Sequence, residues 1–124
     1  MADYEDKDKL YKEKFLAFAS RIVKLKRYLN EQKKEYSIAD QILRSGTSIG
    51  ANHREAIYAE SNLDFIHKLS IAQKECSETL FWLDLLYTSE YIDENQYLSL
   101  YADAEEIIKM LTASILAAKK NVHH

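Results

Sequence analysis

Apolar residues recur at three- and four-residue steps through the first quarter of the chain. This spacing places them on one stripe of an α-helix, which has about 3.6 residues per turn. We therefore predict a first helix over residues 9–32. Its core-facing stripe consists of Phe15, Phe18, Ala19, Ile22, Leu25 and Leu29.

Three later positions carry a helix start signal, in which a Ser or Asp side chain accepts a hydrogen bond from an exposed amide three residues on. These positions are Ser37, Ser61 and Asp93. They predict three further helices, over residues 37–59, 61–89 and 93–119. Breaks this short place sequence neighbours antiparallel. We expect residues 1–124 to form a single domain, an all-α, antiparallel up-down four-helix bundle.

The last two turns of the third predicted helix are apolar around nearly the whole circumference. Seven of the eight residues 80–87 are apolar or aromatic, whereas a bundle helix needs only one apolar stripe. The second apolar face needs a partner outside the bundle core. Either the N-terminal segment or the loop between helices 3 and 4 covers it, or it is a homo-oligomer interface. In the second case the interface includes Phe81, Trp82 and Leu85.

The second predicted helix carries a seam of polar residues that step by four, three, four and three positions. Its members share one helix face. They are Gln41, Ser45, Ser48, Asn52 and Glu55. The seam is either solvated or, if buried, a satisfied hydrogen-bond network, because each orphaned polar group costs roughly 1–3 kcal/mol.

Two glycines lie beside this seam, at Gly46 and Gly50. A glycine inside a helix costs about 1 kcal/mol relative to alanine, so the pair requires a reason. One reason is the close approach of a neighbouring helix, and the other is a bend.

Composition limits the classes of protein and of partner. The chain has two Gly, no Pro and one Cys, which argues against a sheet protein with many turns and against a disulfide framework. Its 17 Lys and Arg against 20 Asp and Glu give a net charge of −3, so there is no global attraction to nucleic acid or to an anionic membrane. With no apolar span and an acidic N-terminus, we expect a cytoplasmic protein without a membrane partner. His123 and His124 fit a tag remnant, although two histidines do not decide this.

The residues with reactive side chains do not have the spacing of a known catalytic or metal-binding site. Cys76 and His67 are nine positions apart, which places them on opposite faces of one helix. Asp64 and His67 have the spacing of half a carboxylate-bundle metal site, but no second such motif occurs. His53 and Glu60 are about 10 Å apart along a helix axis, too far to share one ion. We expect no catalytic residue, no metal, no cofactor and no enzymatic activity.

Cations on the first two predicted helices and in the break between them are the best candidates for contact with a polyanion. They are Lys24, Arg27, Lys34, Arg44 and Arg54. The alternative is an ordinary solvated face that the acidic N-terminal segment balances. Symmetric assembly of several copies would repeat a small basic patch into a ring, even on an acidic protein.

Two segments resemble a known family. The stretch LRSGTSIGAN at residues 43–52, followed by Glu55 and Ala56, resembles the helix 2 signature of the 23S rRNA intervening-sequence proteins, also called the four-helix-bundle protein family. The stretch FIHKLSIA at residues 65–72, with Glu75, Glu78 and Thr79, is similar to the helix 3 signature. The resemblance extends over roughly residues 10–119.

The resemblance implies a bacterial protein, sometimes labelled ribosomal, with no established enzymatic activity. Members of known fold are four-helix bundles assembled as homopentamers. A related branch, the accessory proteins of diversity-generating retroelements, binds nucleic acid and a reverse transcriptase.

We therefore expect a non-enzymatic oligomer, a homopentameric ring of bundles with a binding or scaffold role. Its expected partners are further copies of itself and RNA or a nucleic-acid-bound protein. The alternative is a partner of an element-encoded protein without direct nucleic-acid binding.

Overall fold

The computed structural model describes residues 2–122, and the two histidines at the C-terminus lie outside this range. Within it, four helices are joined by short turns: α1 (Ala2–Gln32), α2 (Ser37–Ile57), α3 (Asn62–Thr88) and α4 (Glu94–Val122). The predicted all-α four-helix architecture is confirmed. Helix α1 begins seven residues earlier than predicted, where Asp and Glu dominate and the helix dipole favours negative charge. None of the described helices is long and apolar enough to cross a membrane.

The helices alternate in direction and each packs against its neighbours in sequence, with α4 closing on α1. Between α1 and α4 the closure uses long polar side chains. Lys14 Nζ lies 3.3 Å from Asp103 Oδ1, and Arg21 Nη1 donates to Asp103 Oδ2 at 2.6 Å. Tyr11 donates its hydroxyl hydrogen to the carbonyl oxygen of Met110 at 3.2 Å. These contacts fix the register of α1 against α4.

Helices begin at all three predicted positions, but the predicted capping bond is confirmed at only two of them. Ser61 accepts from the Asp64 amide at 3.1 Å, and Asp93 and Gln96 exchange two backbone-to-side-chain hydrogen bonds of 2.8 Å each. Ser37 makes no capping bond. Glu35 accepts instead from the Ile38 and Ala39 amides, at 2.6 and 3.0 Å. Its carboxylate is charged, and a charged acceptor binds amides more strongly than a hydroxyl does.

Both glycines of α2 lie where α1 comes close, which supports the first of the two explanations for them. A Cβ atom added at Gly46 would lie 2.9 Å from Cγ1 of Ile22, a fully buried side chain. One added at Gly50 would lie 3.4 Å from Cβ of Phe15, an ordinary van der Waals distance. Helix α2 continues without interruption through both positions. Only Gly46 is sterically required.

Alanine substitutions at the two glycines should therefore differ in their effect on folding. We expect Gly46→Ala to lower the free energy of unfolding, because overpacking against Ile22 costs about 1–3 kcal/mol and outweighs a gain in helix propensity of about 1 kcal/mol. Gly50→Ala is the matched control and should be neutral or stabilising by up to about 1 kcal/mol. Urea denaturation at one fixed protein concentration measures both. Equal effects of the two substitutions would contradict the close approach at Gly46.

Candidate functional site

An apolar patch lies at the C-terminal end of α3, formed by Phe81, Trp82 and Leu85. Phe81 is 55% exposed, and the other two side chains are half-buried. The Phe81 and Trp82 rings meet edge to face, with their centroids 5.0 Å apart. Neither the N-terminal helix nor the loop between α3 and α4 covers Phe81 in residues 2–122. The intramolecular explanation for this apolar face therefore fails at Phe81.

The Trp82 side chain has a second unusual feature. Its indole Nε1 is buried and has no hydrogen-bond partner among the described residues. A buried donor without a partner costs roughly 1–3 kcal/mol. The ring therefore contributes packing at this position without the polar contact that a buried tryptophan usually finds.

A separate cluster of tyrosines joins the end of α3 to α4. Tyr87 and Tyr97 are stacked with centroids 4.5 Å apart, and Tyr101 lies 5.2 Å from Tyr97. The Tyr97 hydroxyl donates to Asp84 Oδ1 at 2.6 Å. This hydrogen bond to a carboxylate, together with desolvation, raises the pKa of Tyr97 to about 12. Asp84 lies one helical turn after Phe81 on α3.

The polar seam of α2 runs along the interface with α3 and is satisfied where it is buried. Ser45 is fully buried, and its Oγ lies 2.9 Å from Oγ1 of Thr79, which in turn lies 2.8 Å from the Glu75 carbonyl oxygen. Ser48 is half-buried and donates to the Arg44 carbonyl at 2.6 Å. The ends of the seam, Gln41 and Glu55, are exposed, and the half-buried Asn52 donates to the Ser48 carbonyl at 2.9 Å. The seam is therefore partly a buried network and partly solvated.

A groove of about 220 Å³ lies on the outer surface between α1 and α2. We call it the α1–α2 groove. It is lined by Lys12, Phe15, Leu16, Ala19, Thr47, Gly50, Ala51, His53 and Arg54. Leu16 is one of the most exposed apolar side chains of the described residues, at 62%. No feature of the sequence alone singled out this groove.

His53 is part of this groove and is almost entirely buried, with 4% of its surface exposed. Its ring packs edge to face on Phe15, with centroids 4.9 Å apart, and Nδ1 has no hydrogen-bond partner in the part of the chain that the structure describes. Burial, opposed by the nearby Asp8 and aided by the cations Lys12 and Arg54, lowers the pKa of His53 from 6.5 to about 4. The imidazole is therefore neutral at pH 7.

The predicted cations do not form one patch within a single chain. Arg44 donates to Glu78 through Nη2 at 2.7 Å and to Glu75 through Nη1 at 3.3 Å, so its charge is largely compensated. Arg54 lies at the α1–α2 groove beside Lys12. Lys24, Arg27 and Lys34 are exposed near the other end of α1. Arg54 and Arg27 are separated by about 22 Å along the bundle, from the helical rise of 15 residues between Lys12 and Arg27.

The reactive side chains lie apart. Cys76 is fully buried in the core, its Sγ donates to the Ala104 carbonyl at 3.2 Å, and burial raises the pKa of its thiol to about 12. His67 is exposed, and Asp64 in the first turn of α3 accepts from the Glu60 amide at 3.4 Å. In the part of the chain that the structure describes, no three His, Cys, Asp or Glu side chains come close enough to hold a metal ion.

Comparison with known proteins identifies relatives of this bundle. A family model described as 23S rRNA-intervening sequence protein matches residues 7–113. A solved structure from Bacteroides thetaiotaomicron, described as a protein with unknown function from the S23 ribosomal protein family, is 53% identical. The match covers 88% of this chain and 97% of that chain, with a TM-score of 0.86. The comparison with curated proteins finds no match.

The burial of neutral His53 predicts a specific acid sensitivity. Because the folded state holds His53 neutral down to about pH 4 whereas the unfolded chain protonates it near pH 6.5, the unfolded state binds more protons between these values. Stability should therefore fall by about 2–3 kcal/mol as the pH is lowered through this window. His53→Leu should remove this part of the loss, as measured by urea denaturation at pH 7, 5.5 and 4.

The exposed His67 provides the control, and His67→Gln should show the same acid sensitivity as the unsubstituted protein. Comparison with the unsubstituted protein cancels the contribution of the carboxylates. An unchanged pH dependence in His53→Leu would show that this buried imidazole is not responsible.

Proposed function

Because this chain belongs to the 23S rRNA-intervening sequence protein family, we propose that it is a non-enzymatic scaffold, a homo-oligomeric ring of four-helix bundles that binds RNA or a nucleic-acid-bound protein. The observation that carries the proposal is the exposed apolar patch of Phe81, Trp82 and Leu85. Five copies is the number that the family resemblance implies. The cytoplasm is the proposed location.

Self-association is the best explanation for the apolar patch. A helix in a four-helix bundle buries one stripe in the core and touches two neighbours, so its outer face normally carries polar residues. Aromatic residues are enriched in the cores of protein interfaces. The Phe81 and Trp82 rings contact each other edge to face and form one aromatic surface. A further copy of the chain is the partner that we propose for this patch.

The reactive residues support a non-enzymatic role. The Cys76 thiol is buried and its pKa is raised, so it is a poor nucleophile at neutral pH. The His53 ring packs against the rings of Tyr11 and Phe15. The Asp64 carboxylate accepts a hydrogen bond from the backbone amide of Glu60 at 3.4 Å. The perturbed groups of this protein thus lie in the core or serve helix geometry.

An RNA partner would use the exposed cations at one end of α1. Lys24 and Arg27 are one turn apart and both exposed, with Lys34 just beyond the helix end. In a ring, each copy would contribute this set, and repetition would raise the local positive potential on a protein of net charge −3.

A second candidate function is binding to another protein without nucleic acid. The ion pairs of Arg44 with Glu75 and Glu78 favour it, because they remove one of the five predicted cations from contact with phosphate. The acidic net charge favours it as well.

Substitution of the patch should separate the assembly from the fold. We expect Phe81→Glu to yield a folded monomer, because an exposed helix position tolerates glutamate whereas a buried interface does not. Leu98→Glu is the matched control, since Leu98 on α4 is exposed to almost the same extent, 54% against 55%. Size-exclusion chromatography with light scattering gives the mass, and circular dichroism verifies the helix content.

The control variant should retain the oligomeric mass of the unsubstituted protein. A monomeric unsubstituted protein at micromolar concentration would refute the proposed assembly. An oligomeric Phe81→Glu variant would place the interface elsewhere.

Removal of the exposed α1 cations should weaken RNA binding. We expect the double substitution Lys24→Gln and Arg27→Gln to lower the affinity for 23S rRNA fragments and to flatten its dependence on salt, because fewer counterions are released. The matched control is the double substitution Lys109→Gln and Lys120→Gln, which removes two exposed cations from α4. Filter binding between about 50 and 200 mM salt measures both effects.

Equal losses in the two double variants would show that only total charge matters. No binding by the unsubstituted protein at low salt would remove RNA from the proposal and leave the protein-only function.

A further inference from the structure

We propose that the α1–α2 groove is the receptor for the patch of the next copy, with Phe81 inserted beside Leu16. Association is then head to tail and not patch to patch. This inference rests on the proposed self-association, because it names the second surface of the same interface. The occupant of the groove is a second copy of this chain.

The size and lining of the groove suit an aromatic side chain. Its volume of about 220 Å³ exceeds the roughly 150 Å³ of an engineered cavity that accepts benzene. The short side chains of Thr47 and Ala51, with the hydrogen of Gly50, keep the α2 side of the groove open. Leu16 contributes an apolar wall that is 62% exposed, slightly more than Phe81 itself. Both surfaces would thus lose exposed apolar area in one contact.

The charges around the two surfaces are opposite. The charged residues that line the groove are Lys12 and Arg54, both basic. Phe81 is flanked on α3 by Asp84 one turn later and by Glu78 one turn earlier. Glu75 and Glu78 share the single cation Arg44, so carboxylates remain in excess there. Opposite potentials favour the contact of patch with groove, whereas a symmetric patch-to-patch contact would bring carboxylates of the same sign together.

The positions of the patch and the groove on the bundle imply a rotation between consecutive copies. Trp82 lies four positions after Glu78, hence on the same face of α3 that meets Arg44 of α2. The patch therefore flanks α2 on one side, and the groove flanks α2 on the other. Because both surfaces flank α2, they do not lie on opposite sides of the bundle. Each repeat of the contact therefore rotates the next copy relative to the previous one, and such a rotation is what closure of a ring requires.

The patch and the groove also lie at different levels along the bundle axis. Ser45 is level with Thr79, so Phe81 is level with about residue 43, and Gly50 in the groove lies about 10 Å further along α2. Neighbouring bundles must therefore be staggered or tilted relative to one another.

Mixing two defective variants tests the head-to-tail pairing. Phe81→Glu lacks the patch but keeps the groove, and Ala51→Glu carries a carboxylate in the groove but keeps the patch. We expect each variant alone to be monomeric, with association weakened by about 30-fold or more, as for removal of an interface hot spot. An equimolar mixture should form a complex of two chains and no larger species, because one intact patch meets one intact groove. Sedimentation velocity measures the species present.

Ala102→Glu is the matched control for the groove, since Ala102 is an exposed alanine on α4 outside both surfaces. It should assemble like the unsubstituted protein. If Ala51→Glu does not fold, Leu16→Glu at the exposed groove wall takes its place. An oligomeric groove variant together with a monomeric Phe81→Glu variant would refute the groove and leave the proposed function intact. Two monomeric variants that form no complex when mixed would likewise refute it. A monomeric unsubstituted protein would refute the proposed function itself.

Discussion

Each helix of a four-helix bundle can bury one apolar stripe in the core, so any second apolar face on α3 stays exposed within a single chain. Most of α3 has one buried stripe and a polar outer face. Its buried residues are Leu69, Ala72, Cys76, Leu83 and Leu86, and lysine, serine and carboxylate side chains lie on the outside. Over the last two turns the outer face is apolar as well, and Phe81 is more than half exposed. Burying such a residue at about 25 cal/mol per Å² is favourable. In the proposed assembly, another copy covers this exposed apolar surface.

Helix α2 organises the rest of the molecule through small side chains on its two flanks. Toward α1, Gly46 lets the buried Ile22 approach to a distance that no Cβ atom allows. Toward α3, the buried hydroxyls of Ser45 and Thr79 satisfy each other and a backbone carbonyl. Close packing on both flanks fixes the register of three helices. Further along the same helix, the small residues Gly50 and Ala51 leave the groove open on the outside.

Sequence periodicity was enough to predict the helices, because the apolar stripes and two of the start signals are local features. Close approach at Gly46 was one of two explanations that the sequence left open, and the register against Ile22 decided it. The capping bond predicted for Ser37 was also inferred from a local signal, and it was wrong, although α2 does begin at this residue. The charged Glu35, two residues earlier, competes for the same amides.

The candidate site was less accessible to sequence analysis, because its parts are distant in the chain. Phe81, Trp82 and Leu85 were predicted from the local excess of apolar residues. The groove combines residues from α1 and α2, and the compensation of Arg44 depends on carboxylates 31 and 34 residues away. The burial of His53 likewise follows from its contact with Phe15. Such contacts depend on how the helices are registered, which no single helix reveals.

Trp82 is the only tryptophan of the chain, so its fluorescence reports directly on the apolar patch. The most direct measurement is iodide quenching of this emission in the unsubstituted protein from nanomolar to micromolar concentration. If further copies cover the patch, quenching should decrease as the protein concentration rises and association proceeds. Quenching that stays constant over this range, with a monomeric mass throughout, would contradict the central claim that the chain covers its own exposed aromatic surface by self-association.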